Sequence, residues 1–100
     1  MNIELVAREV MVNDEVQDRI EKKVEKILER VNKETPVRVL LGNSHGQFEA
    51  HVSMNIKGKR IVAQGTHSNM LAALDDALDK ADRQCKKHHD KRMSGRRLGE

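Results

Sequence analysis

The sequence predicts an α+β fold in the order β-α-β-β-β-α: a four-stranded mixed sheet with two helices packed on one face. Two apolar stripes at helical spacing and one long alternating segment carry this reading. Val16, Ile20, Val24, Ile27, Leu28 and Val31 form the first stripe. Met70, Leu71, Leu74, Ala77, Leu78, Ala81 and Cys85 form the second. Both follow the 3.6-residue period of a helix with one buried side. Phe48, Ala50, Val52, Met54 and Ile56 alternate with Glu49, His51, Ser53 and Asn55. That is the period of a strand with one buried face and one wet face. One hundred residues suffice for a single layer of sheet under two helices, with one modest core.

The elements follow in order. Ile3, Leu5 and Ala7 alternate with Asn2, Glu4 and Arg8 as a short first strand. Asn13 or Asp14 caps the first helix, and Glu15 suits a first turn whose free N–H groups favour negative charge. The stripe carries this helix from Asp14 to Val31, and Pro36 ends any continuation. Val37 to Leu41 reads as the second strand and Gly42 to Gly46 as a loop. The third strand is the alternating segment. Lys57-Gly58-Lys59 is a hairpin turn, and Ile61 to Thr66 is the fourth strand, with Ile61, Ala63 and Gly65 on one face. Ser68 or Asn69 caps the last helix, which runs from roughly Asn69 to Lys91. A helix between the first two strands favours a right-handed crossover and a parallel pair; the remaining strands pair antiparallel. Residues 1–91 thus form one domain, and residues 92–100, lacking periodicity, a basic flexible tail.

Charge is sorted on both helices. Arg19, Lys23, Lys26 and Arg30 lie along one flank of the first, with Asp18, Glu21, Glu25 and Glu29 on the other. Lys80, Arg83, Lys87 and Lys91 line one flank of the second, with Asp75, Asp79, Asp82 and Asp90 opposite. Asp76–Lys80, Asp79–Arg83 and Asp82–Lys86 have the favourable acid-first i,i+4 spacing. The formal charge is +3, concentrated at the C-terminal end. Residues 1–79 hold 11 Lys/Arg against 13 Asp/Glu, and residues 80–100 hold 8 against 3. Basic rails of this kind suit a polyanion, in a cell most commonly nucleic acid. Phe48 is the single aromatic residue, so base stacking gives way to phosphate contact.

Other chemistries find little support. One cysteine, Cys85, permits no internal disulfide, and it lies on an apolar stripe where a thiol packs as a small hydrophobe. Cys85 and His89 have i,i+4 spacing, but a zinc site needs three or four protein ligands, so no metal and no cofactor is expected. His88 and His89 point to different sides of a helix, and His45 and His51 fall in a loop and on the polar strand face. No phosphate-binding glycine loop, carboxylate pair or nucleophile elbow is present, so no enzyme activity and no small-molecule substrate are expected. No signal peptide or membrane-spanning segment is apparent, and a cytoplasmic protein with no membrane partner is expected.

The last helix resembles that of ribosome hibernation-promoting factors and ribosome-associated inhibitors. Asn69-Met70-Leu71-Ala72-Ala73-Leu74-Asp75 carries the family's Met-x-Ala-Ala-x-Asp spacing, and Asp79-Lys80-Ala81-Asp82-Arg83-Gln84 its Asp-Lys-x-x-Arg-Gln spacing. The similarity extends over about the first 91 residues and takes in Lys23, Lys26 and the Gly58 hairpin. Leu71 stands where the family usually has an aromatic residue, and Cys85 where it usually has leucine. Without a C-terminal dimerisation domain, the chain looks like a short form.

The resemblance implies a non-catalytic factor of stationary phase and stress. Its partner would be the small ribosomal subunit, met through rRNA phosphates in the channel used by messenger and transfer RNA. Such a factor blocks translation there, and some members pair ribosomes into inactive dimers. The residues it implies for RNA contact are Lys23, Lys26, Lys80, Arg83, Lys86, Lys87 and Lys91, and the arginines of the tail, Arg92, Arg96 and Arg97, would add to them. The alternative is a double-stranded-RNA-binding-like module acting off the ribosome.

Overall fold

A computed structural model describes the backbone of residues 2–98 and the side-chain surroundings of residues 2–87. Six elements follow the expected order: β1 (Asn2–Ala7), α1 (Asp14–Leu28), β2 (Pro36–Ser44), β3 (Gln47–Ile56), β4 (Lys59–His67) and α2 (Met70–Leu98). The strands lie side by side in sequence order in one mixed sheet. β1 pairs parallel to β2 in the register Leu5↔Val39. The β2–β3 and β3–β4 pairs are antiparallel, with Val39↔Val52 and Val52↔Ala63 aligned across them.

The core lies between one sheet face and the helices. Val37, Val39, Leu41, Ala50, Val52, Met54, Ile56, Ile61 and Ala63 point into it from the strands. Val16, Ile20, Val24, Ile27 and Leu28 enter from α1, and Ala73, Leu74, Ala77, Leu78, Ala81 and Cys85 from α2. Alternation puts Arg38, His51, Ser53, Asn55, Arg60, Val62 and Gln64 on the opposite, helix-free face. Both helix starts are capped by asparagine. Asn13 Oδ1 accepts the Val16 amide at 2.9 Å, and Asn69 Oδ1 accepts those of Leu71 and Ala72 at 2.9 and 3.2 Å.

Several boundaries differ from the sequence reading. α1 ends at Leu28, because the next amides bond three residues back: Arg30 to Ile27 and Val31 to Leu28, each at 3.2 Å. Such bonds tighten a final turn and stop the helix, while Val31 still packs on the core. The segment expected as a loop is mostly strand. Gly42, Asn43 and Ser44 pair with Glu49, Phe48 and Gln47, leaving a two-residue turn at His45-Gly46. Both turn residues have positive φ, +54° and +78°, as a twist-matched hairpin requires. Lys57-Gly58 repeats the pattern at +51° and +81°, so β4 begins at Lys59.

α2 runs to Leu98, beyond the Lys91 boundary drawn from periodicity. A helix already nucleated on the core propagates through Lys, Arg, Met and Leu without an apolar stripe. The side chains of residues 88–98, among them His88, His89, Lys91 and the tail arginines, lie outside the described residues.

Candidate nucleic-acid interface

The charge sorting on α1 and α2 resolves into a seam between the helices. Arg19 Nη1 donates to Asp75 Oδ2 at 2.6 Å, Lys23 Nζ to Asp79 Oδ1 at 2.9 Å, and Arg30 Nη1 to Asp82 Oδ1 at 2.5 Å. Lys23 also lies 3.7 Å from Asp75 Oδ1, a buried atom that accepts no hydrogen bond. Residue numbers climb together along the seam, so the two helices run side by side in the same direction. Hydrogen bonding to Asp75 and charge attraction to it hold the Arg19 guanidinium pKa above its ordinary value. The bond to Asp79 does the same for Lys23, against the opposing pull of burial.

The two basic rails therefore do not merge into one patch. The α1 rail meets the acidic flank of α2, with Asp75, Asp79 and Asp82 standing between it and the α2 rail. Of the expected contact residues, Lys23 is half-buried within the seam. Lys26 is exposed on the outer side of α1, and Arg83 and Lys87 are exposed on α2. Among the described residues, no ion pair is made by Lys26, Arg83 or Lys87. Lys86 stands 3.9 Å from Asp82, and Lys91 lies outside the described side chains.

Lys80 has a second task. It sits 3.1 Å from Asp76 and donates to the Gln64 carbonyl at 3.0 Å, while Gln84 Nε2 donates to the Val62 carbonyl at 2.9 Å. β4 is an edge strand, and these two side chains cover carbonyls that would otherwise face outward. His67 stands 3.7 Å from Asp76 on the same side.

The sequence reading passed over Arg19 and Arg30 as members of a cross-helix seam, because their partners lie more than fifty positions away. Lys57, Lys59 and Arg60, the exposed cations of the β3–β4 turn, have no helical spacing that marks them in the sequence.

Cys85 is 2% exposed, with Sγ 3.9 Å from Met54 Sδ. Burial first, and then the nearby Asp82 charge, push its thiol up to about 11, with Arg30 pulling the other way. Between pH 9 and 11 the unfolded chain has released this proton and the folded chain has not, so stability falls as pH rises. The loss reaches up to about 3 kcal/mol by the top of that window. Urea titrations across this range should show the step in the parent and not in Cys85→Ala. Thiol reagents at pH 8 should label Cys85 only after unfolding. Among the described residues, no group of three or more His, Cys, Asp or Glu side chains is placed to hold a metal ion.

The fold is a two-layer α+β domain, one sheet under two helices, that among the described residues carries exposed cations without an ion pair at Arg83 and Lys87 on α2 and Lys26 on α1. The chain belongs to the Sigma 54 modulation protein / S30EA ribosomal protein family, whose model matches residues 3–93. It is 31% identical to the ribosome hibernation promoting factor of Pseudomonas putida over 94 residues, covering 94% of this chain and 92% of that protein. The factor of the same name from Azotobacter vinelandii is 28% identical over 93 residues, covering 93% of this chain and 87% of that one. Among solved structures, the N-terminal domain of Protein Y from Thermus thermophilus superposes with a TM-score of 0.78 at 25% identity. That match covers 88% of this chain and 99% of that one. A ribosomal subunit interface protein from Coxiella burnetii shares the fold at a TM-score of 0.75 and 19% identity, covering 90% and 99%. The family expected from the α2 motifs is the family found.

Proposed function

We propose that this chain is a ribosome hibernation factor that docks on small-subunit rRNA and occludes the channel for messenger and transfer RNA. The observation that carries the reading is the outer flank of α2. Arg83 and Lys87 stand there exposed, without an ion pair among the described residues, while Asp75, Asp79 and Asp82 of the same helix are paired with α1, and Asp76 is taken up by Lys80. Family membership supplies the ribosome as partner, and the name shared by the Pseudomonas and Azotobacter relatives supplies hibernation as the outcome.

Arg83, Lys87 and Lys26 can neutralise phosphates at once. Lys80 and Lys86 do so by exchanging a carboxylate neighbour for a phosphate; Lys91, whose side chain lies outside the described residues, joins them on its sequence spacing alone. Lys23 supports the surface from within the seam, holding α1 against α2. With Phe48 half-buried and no other aromatic, recognition follows backbone shape and charge rather than base identity. Each phosphate contact then contributes roughly −0.7 to −0.9 to the slope of log affinity against log salt.

The test is co-sedimentation with purified small subunits. Arg83→Glu with Lys87→Glu should weaken binding by roughly a hundred-fold at moderate salt, and adding Lys80→Glu should abolish it. Unchanged co-sedimentation of the triple variant would sink the proposal. Equally tight binding to free duplex RNA would favour action off the ribosome instead.

A further inference from the structure

We infer that the β3–β4 hairpin, through Lys57, Lys59 and Arg60, is a second phosphate-contact point that continues the α2 rail around the end of the sheet; this rests on the ribosome-binding reading above. Three of the four residues Lys57-Gly58-Lys59-Arg60 are cations, and all three are exposed. None makes an ion pair among the described residues.

The turn is short and closed. Ile56 pairs directly with Lys59, and Lys57 and Gly58 take up the two positive-φ positions between them. Its charges are thus carried on a defined backbone, with little ordering left to do on binding.

Register brings this turn beside the α2 rail. Lys80 reaches the Gln64 carbonyl and Gln84 the Val62 carbonyl. Two strand residues span about 6.7 Å and four helical residues about 6 Å, so the elements advance together. One further step back along β4 arrives at Arg60, level with the turn of α2 that carries Lys87. Lys59 shares the parity of the buried Ile61 and lies on the helix side of the sheet. Arg60 takes the opposite parity and lines an open cavity of about 430 Å³ on the helix-free side, with Arg38, Ser53 and Asn55. Glu4, also in that lining, is 3.4 Å from Arg38.

The hairpin therefore presents cations on both faces of the sheet end, joined along one side to Arg83 and Lys87. The seam aspartates lie on the far flank of α2. A surface of this shape straddles the sugar-phosphate backbone of a folded RNA. No aromatic side chain is near enough to read a base.

The experiment measures affinity for purified small ribosomal subunits as a function of salt. It compares the parent, an Arg83→Gln/Lys87→Gln variant, and a hairpin variant with Lys57→Asn, Lys59→Gln and Arg60→Gln. Asparagine at 57 tolerates the positive φ. A Lys59→Gln/Arg60→Gln pair, which leaves the turn residues untouched, guards against a folding defect. The hairpin variant should bind about ten-fold more weakly at moderate salt, with a log–log slope shallower by about 2. The pair should shift in the same direction. Parent-like affinity and slope in both hairpin variants, with binding lost in the Arg83/Lys87 variant, would overturn the inference and leave the ribosome-binding reading intact. Failure of the parent to bind would overturn both.

Discussion

Gly65→Ala is expected to destabilise the protein by about 3 kcal/mol and to lower its melting temperature by roughly 10–25 °C. Gly65 lies in β4 directly beneath α2, and the two backbones come close enough that a side chain has no room. A Cβ there would run into the Ala73 carbonyl oxygen and stand 2.8 Å from the Ala77 amide nitrogen and 2.9 Å from Asp76 Cβ. Two of those three neighbours are backbone, which cannot rotate away as a side-chain tip can. α2 would have to lift from the sheet. Lifting it would draw Lys80 and Gln84 away from the β4 carbonyls and open the packing of Ala73, Ala77 and Ala81, all fully buried. The fault lies in space rather than in backbone angle, because Gly65 does not hold a positive φ. Gly42→Ala provides the contrast: nothing lies within 4 Å of its Cβ position, and its cost should stay within about 0.5 kcal/mol. Equal urea midpoints for the two variants would contradict the close-approach account.

Local periodicity made much of this molecule legible. The alternation from Phe48 to Ile56 marked which β3 residues are buried, and Ile61, Ala63 and Gly65 continue the same face on β4. Both helix stripes entered the core as expected, because a helix or strand reports its buried side through its own period. What local spacing does not contain is the identity of a tertiary neighbour. The i,i+4 rule pairs Asp79 with Arg83, yet the structure pairs Asp79 with Lys23, 56 positions away. For the same reason the stripes alone left open whether the two rails share a patch; the structure matches the α1 rail to the acids of α2. Polar, glycine-bearing composition at 42–46 suggested a loop, whereas pairing to β3 kept all but His45 and Gly46 in the sheet. In the candidate interface, the α2 stripe marked Arg83 and Lys87 as exposed cations, whereas the hairpin cations Lys57, Lys59 and Arg60 have no period that marks them.

Replacing Asp75, Asp79 and Asp82 together with asparagine should separate stability from RNA affinity, lowering one while raising the other. The three ion pairs are half-exposed, with Asp82 the most sheltered carboxylate at 23% side-chain exposure and Asp79 the least at 56%. Exposed pairs contribute up to about 1 kcal/mol each, so the triple variant should lose roughly 2–3 kcal/mol in urea unfolding. The parent's advantage should shrink as salt rises. It should also shrink as pH climbs above the ordinary lysine range. The raised pKa of Lys23 means that its share of the stability is fully present below the unfolded value of 10.5 and is lost as pH passes the folded value. Binding should move the other way. The formal charge rises by three from +3, and Arg19, Lys23 and Arg30 are released from their carboxylates to meet phosphate. Affinity for small subunits should increase at low salt, and the log–log slope should steepen by up to about 2. A slope equal to the parent's would mean that the aspartates do not withhold those cations from RNA.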